Sequence, residues 1–95
     1  MSSRYSKKKL RCLRNDIPIV DLIADGLCLP HKTSEGHFRF LCPLCHEFNS
    51  AVNPSTNLAR CFRCEKNYNP IDLVMVVKDY SFRDAVEFLL PFLSA

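Results

Sequence analysis

Apolar and polar positions change rhythm along this chain and mark its elements. Ile17, Val20, Leu22 and Ile23 give one short segment an apolar side. Ahead of it, Asn15-Asp16-Ile17-Pro18 supplies a capping Asn or Asp and a proline for the first turn. A short helix closed by Gly26 is predicted. Leu27 to His31 reads as a strand, and Thr33-Ser34-Glu35-Gly36 as a turn. Phe38 and Phe40 then alternate with His37, Arg39 and Leu41, so a hairpin is expected. Ala51-Val52 and Leu58-Ala59 are further short strands around the turn residues Asn53-Pro54-Ser55-Thr56-Asn57. After residue 68 the period lengthens. Asn69-Pro70-Ile71-Asp72 carries a cap, an N-terminal proline and a first-turn acid, and Leu73, Val74, Val76 and Val77 continue the helix through Lys78. Ser81-Phe82-Arg83-Asp84 opens another helix, with Asp where a capping box usually has Glu. Phe82, Ala85, Val86, Leu89 and Leu90 fall on one helical face, and Pro91 is expected to end it.

The chemistry lies between these halves. Cys42-Pro43-Leu44-Cys45 and Cys61-Phe62-Arg63-Cys64 are separated by fifteen residues. This C-x2-C-x15-C-x2-C spacing is that of a metal site. Each pair forms a knuckle that aims two sulfurs at one point, and four thiolates make the closed tetrahedral shell Zn2+ favours. One zinc ion on Cys42, Cys45, Cys61 and Cys64 is therefore predicted. Iron accepts the same ligand set, and His46 stands beside Cys45 as another potential donor. A disulfide framework fits poorly, because no signal-peptide core or membrane span is visible. A thioredoxin-type dithiol would need a βαβ unit, and none is apparent. The expected compartment is the reducing cytoplasm, where the thiols stay free to take metal. Cys12 and Cys28 lie outside the pairs and are read as free thiols, Cys28 on the strand face opposite Leu27 and Leu29. The elements and the metal together give an α+β fold: a zinc ribbon with a small antiparallel sheet, flanked by N- and C-terminal helices. In a 95-residue chain, metal compensates for a small core.

Charge divides the chain. The formal net charge is +3, but residues 1–14 carry Arg4, Lys7, Lys8, Lys9, Arg11 and Arg14 and no acid, which leaves 15–95 at −3. Residues 1–14 are expected to form a basic flexible tail that can attract phosphate, and 15–95 the folded domain.

From about Asp16 to Leu90 the chain resembles the zinc-binding N-terminal domain of bacterial and phage-type DNA primases. The resemblance rests on Ile19-Val20-Asp21-Leu22-Ile23, on Phe38-Arg39-Phe40-Leu41-Cys42-Pro43, and on the Cys61-Phe62-Arg63-Cys64 knuckle. Ile71-Asp72-Leu73-Val74-Met75 and Ser81-Phe82-Arg83-Asp84-Ala85-Val86 complete it. That family usually has His as its second ligand, where this chain has Cys45. It also has a lysine after the first knuckle and glycines around the second, where this chain has Phe48-Asn49-Ser50-Ala51 and Arg63 and Glu65. The resemblance implies a module that binds single-stranded DNA template and supports primer initiation. Polymerisation would belong to a separate catalytic domain or to a partner polymerase or helicase chain, so no catalysis by this chain alone is expected. The competing function is a zinc-stabilised protein-interaction adaptor.

Single-strand binding needs cations along a groove and rings for bases to stack on. Arg60, Arg63 and Lys66 surround the second knuckle, Arg39 leads into the first, and Tyr68 follows as a stacking candidate. Lys32 sits near the hairpin turn. Phe62 is read mainly as a packing residue, and Phe38 and Phe40 as either core or platform.

Overall fold

The computed structural model describes residues 5–93. Its centre is a five-stranded antiparallel meander in the order β1-β2-β3-β4-β5. The strands are β1 His31–Ser34, β2 His37–Phe40, β3 Ser50–Asn53, β4 Leu58–Cys61 and β5 Lys66–Tyr68. Glu35 and Gly36 both take positive φ, 53° and 79°, in the β1–β2 turn. Such a turn matches the strand twist of a two-residue hairpin. The α+β zinc-ribbon architecture is as expected, with three corrections to its elements. The expected strand at 27–31 instead begins at His31. β5 is an additional strand, paired to β4 through Ala59↔Tyr68, Arg60↔Asn67 and Cys61↔Lys66. Cys28 is not on a strand: it is exposed, with φ 53°, just past the first helical segments.

The largest correction concerns the N-terminus. Residues 7–14, expected in a flexible tail, lie with Asn15 in helix α1 (Lys7–Asn15), N-capped by the Ser6 hydroxyl, which accepts from the Lys9 amide at 3.0 Å. Residues 1–4 of that expected tail lie outside the described residues. The helix forms because Leu10, Leu13 and Ile17 follow helical spacing, and Leu13 and Ile17 are buried. Helix α2 (Ile19–Asp21) follows and runs into a π turn over Leu22–Gly26. Gly26 is needed for close approach: a Cβ there would lie 3.0 Å from both Leu22 Cδ1 and Phe92 Cζ.

Helix α3 (Pro70–Lys78) has a full capping box. The Asn69 side chain accepts from the Asp72 amide at 2.8 Å, and Asp72 accepts from the Asn69 amide at 3.4 Å. Asp79, in the left-handed conformation at φ 57°, ends it. Helix α4 (Phe82–Leu93) runs through Pro91 rather than stopping there. Pro91 has no amide to donate to the Glu87 carbonyl, so the helix continues past it at the cost of one backbone hydrogen bond. Phe92 and Leu93 can therefore pack against the core.

One face of the sheet contributes Phe40, Val52, Ala59 and Tyr68 to the core, joined by Leu13, Leu22, Ile23, Leu73, Val74, Val86 and Leu89 from the helices. Helices α1, α3 and α4 pack on one another. No helix among the described residues is long and apolar enough to cross a membrane.

Candidate metal centre and open sheet face

The strands deliver the cysteines. β2 leads into Cys42, and β4 ends at Cys61. Each knuckle then turns back through a left-handed residue directly after its second cysteine: His46 at φ 60° and Glu65 at φ 56°. The Cys42 carbonyl accepts the His46 amide at 2.9 Å. A side chain pays a steric cost in this conformation that glycine avoids. Glu65→Gly is therefore expected to stabilise the zinc-loaded protein by about 0.5–1 kcal/mol, read as a higher denaturation midpoint at unchanged metal content.

The sulfurs of Cys42, Cys45, Cys61 and Cys64 all lie within 4.8 Å of one another. Cys42 Sγ is 3.9 Å from Cys64 Sγ, and Cys45 Sγ is 3.7 Å from Cys61 Sγ. A tetrahedron with Zn–S bonds of about 2.3 Å has edges of about 3.8 Å. A disulfide would bring two sulfurs to about 2.05 Å, and all six cysteines are unpaired. The arrangement thus suits one tetrahedral ion. His46 is exposed and outside the cluster; half-buried Cys12 and exposed Cys28 also lie outside it.

The surroundings favour thiolates. Backbone amides of Leu44 and Cys45 point at Cys42 Sγ, at 3.4 and 3.5 Å, and that of Cys64 points at Cys61 Sγ at 3.3 Å. Two buried hydroxyls, Ser50 Oγ and Tyr68 Oη, have no hydrogen-bond partner. Ser50 pairs with Cys61 across β3 and β4. Unpartnered hydroxyls beside sulfur become satisfied when the sulfur is an anionic metal ligand. Burial pushes the Cys61 thiol up, but the Cys64 amide, the Ser50 hydroxyl and the neighbouring thiols outweigh it and hold it well below the ordinary value. Burial and the other cysteines push Cys64 up, and burial also raises Cys45. The surroundings thus favour the thiolate at Cys61, while Cys45 and Cys64 hold their protons more firmly until a cation offsets the charge.

The other face of the sheet is open. Strand register sets Lys32, Arg39, Ala51, Arg60 and Asn67 side by side in one row across all five strands. Arg60 donates to Asn67 Oδ1 at 3.2 Å. The row borders an open groove of ≈ 620 Å³ whose walls include His37, Thr56, Leu58, Arg60 and Phe62. Phe62 is 59% exposed and Phe48 37%. A cation rests near each ring: Arg60 at 5.9 Å from the Phe62 centroid and Lys32 at 5.1 Å from that of Phe48.

The predicted nucleic-acid contacts divide accordingly. Arg39 and Arg60 come together on the open face. Arg63 is exposed but paired with Glu47 at 3.6 Å, a contact that ties one knuckle to the other. Lys66 pairs with Cys61, so it leaves the sheet on the face opposite Arg60, at the exposed edge strand. Tyr68 is a correction: it is 2% exposed and faces the core, so no base can stack on it. Phe40 is core, and Phe38 stacks on His31 at 5.2 Å. Phe48 and Asn67 were not foreseen, and Phe62 is a surface ring rather than a packing residue. Only strand pairing reveals this, since it requires β5 and the exact register.

The CHC2 zinc finger family model matches residues 5–94. The chain belongs to that family. Zinc is its metal, and the four cysteines are positioned to hold one ion. The chain is 29% identical over 89 residues to a DNA primase of Streptomyces coelicolor, covering 92% of this chain and 14% of that protein. It is 33% identical over 73 residues to a DNA primase of Clostridium acetobutylicum, covering 75% of this chain and 12% of the relative. The match thus spans only a small share of either primase. It supports a primase-type zinc module, with Cys45 in place of the usual histidine.

Proposed function

We propose that this CHC2 zinc finger module binds single-stranded DNA template on its open sheet face and supports primer initiation by a primase. The observation that carries the proposal is the cationic row with flanking exposed rings: Lys32, Arg39 and Arg60, bordered by Phe48 and Phe62. Phosphates need cations, and splayed bases need flat apolar surfaces; both lie on one face. Zinc, held by Cys42, Cys45, Cys61 and Cys64, supplies a crosslink rather than a reaction. It fixes the ends of β2 and β4, and with them the spacing of Arg39 and Arg60. Arg63, on the second knuckle, extends the cationic edge once it leaves Glu47, and Lys66 adds charge at the sheet margin. Polymerisation is assigned to a catalytic domain elsewhere, in the same parent protein or a partner chain.

The test is fluorescence anisotropy of zinc-loaded protein with a labelled oligothymidylate. Arg39→Ala/Arg60→Ala should lower affinity about tenfold or more and flatten the salt slope by about 1.4, at about 0.7 per lost phosphate contact. Unchanged affinity in a folded, zinc-bound variant would defeat the proposal and favour a protein-binding adaptor.

A further inference from the structure

We propose that helix α1 is a second phosphate-binding surface, which receives a nucleic-acid strand where it leaves the groove. The inference rests on the groove reading above and extends it to a different element. Lys7, Lys8 and Lys9 fill the first turn of α1, and no acid accompanies them. The helix dipole is positive at that end, so three ammonium groups oppose it. Lys7 and Arg11 are one turn apart, as are Lys8 and Arg11, and Arg11 and Arg14, and these like charges repel. Among the described residues the one ion pair is Arg63–Glu47, so none of these cations is neutralised by an acid. The arrangement costs the helix some of the stability its packed leucines supply, and a bound polyanion would return it.

The cations are also free of the core. Leu10 and Leu13 turn inward, while Lys7, Lys8, Lys9 and Arg11 are exposed. The C-terminal end of the helix is fastened to the groove wall. Asn57 Nδ2 donates to the carbonyl of Arg14 at 2.7 Å, and its sequence neighbours Thr56 and Leu58 line the groove. From that point α1 carries positive charge back to Lys7, a further length of about 10 Å. The rest of the chain, residues 15–95, has a net charge of −3, so α1 is the main concentration of positive charge outside the open face. A strand with one phosphate per nucleotide suits a run of unpaired cations on a helix whose C-terminal end is tied to the groove wall. Lysines suit this role as flexible point charges that need no fixed geometry.

The experiment compares labelled oligothymidylates of about 6 and about 18 nucleotides, bracketing a typical single-strand site size, on the zinc-loaded chain. The variant is Lys8→Gln/Arg11→Gln, which keeps good helix formers at exposed positions. The expected result is about tenfold weaker binding of the long oligomer and a salt slope shallower by about 1.4, with the short oligomer changed less than about twofold. Unchanged binding of the long oligomer overturns the inference, as does equal loss for both lengths. Sedimentation showing that the variant abolishes self-association, with DNA binding intact, also overturns it. Short-oligomer binding that ignores Arg60→Ala defeats the groove reading instead, whatever α1 does.

Discussion

Replacing Cys61 with serine is expected to release the metal and unfold most of the domain. Cys61 is fully buried at the end of β4, and its sulfur is the one most strongly held as a thiolate. A serine hydroxyl stays protonated at neutral pH and leaves three thiolates without a closed shell. Structural zinc binding is worth about 10–16 kcal/mol in zinc-finger peptides, as much as or more than the ~5–15 kcal/mol that stabilises a typical domain. The loss cannot be absorbed by a core this small, in which Cys42 and Cys61 are themselves buried members. Zinc content should fall below one equivalent, and the cooperative thermal transition should disappear from circular dichroism. Chelation of the unaltered protein should reproduce both effects. Cys28→Ser, at an exposed position outside the cluster, should change neither.

Asn57→Ala is expected to destabilise the protein by about 2–4 kcal/mol while leaving zinc stoichiometry intact. The Asn57 carboxamide is a three-way clamp between the β3–β4 turn and the N-terminal helices. Its Oδ1 accepts from the Ile19 amide at 2.9 Å, and its Nδ2 donates to the carbonyls of Arg14 and Ile17, both at 2.7 Å. Its backbone is left-handed, at φ 57°, which Asn tolerates better than most residues. Alanine loses the three bonds, leaves partly buried amide and carbonyl groups unpaired, and adds backbone strain. Asn57→Asp is predicted to be no better, because it sets a carboxylate against two carbonyl oxygens. Urea denaturation with parallel zinc determination distinguishes this effect from metal loss.

The metal centre was legible because its signal is local. Two cysteines separated by two residues make a knuckle whatever surrounds them, and the hairpin that feeds Cys42 shows in the Phe38/Phe40 alternation. Helix α3 was equally plain, since Asn69, Pro70 and Asp72 act within one turn. The misses have physical causes. Helix α1 was hidden because its charges dominate its composition, although Leu10, Leu13 and Ile17 carry the period that buries it. β5 is three residues long and follows the second knuckle without an alternation of its own. Pro91 suggests a helix end, but the helix runs past it to residues that pack against the core, Phe92 and Leu93. Tyr68 and Phe62 exchanged roles because inward and outward positions depend on register. Ala59↔Tyr68 places Tyr68 beneath the sheet, while Phe62 lies just past the strand in the exposed knuckle. The cationic row is likewise a product of pairing: Lys32, Arg39 and Arg60 are scattered in sequence and meet only when the strands assemble.

The central claim is that zinc organises the sheet so that its open face binds single-stranded DNA. Amide chemical-shift mapping tests it most directly, by titrating a short oligothymidylate into isotopically labelled, zinc-loaded protein. The largest shifts are expected at Arg39, Ala51, Leu58, Arg60, Phe62 and Asn67, with the interior of α3 and α4 unmoved. Saturable shifts centred on α3 and α4 instead, with the open face unchanged, would contradict it.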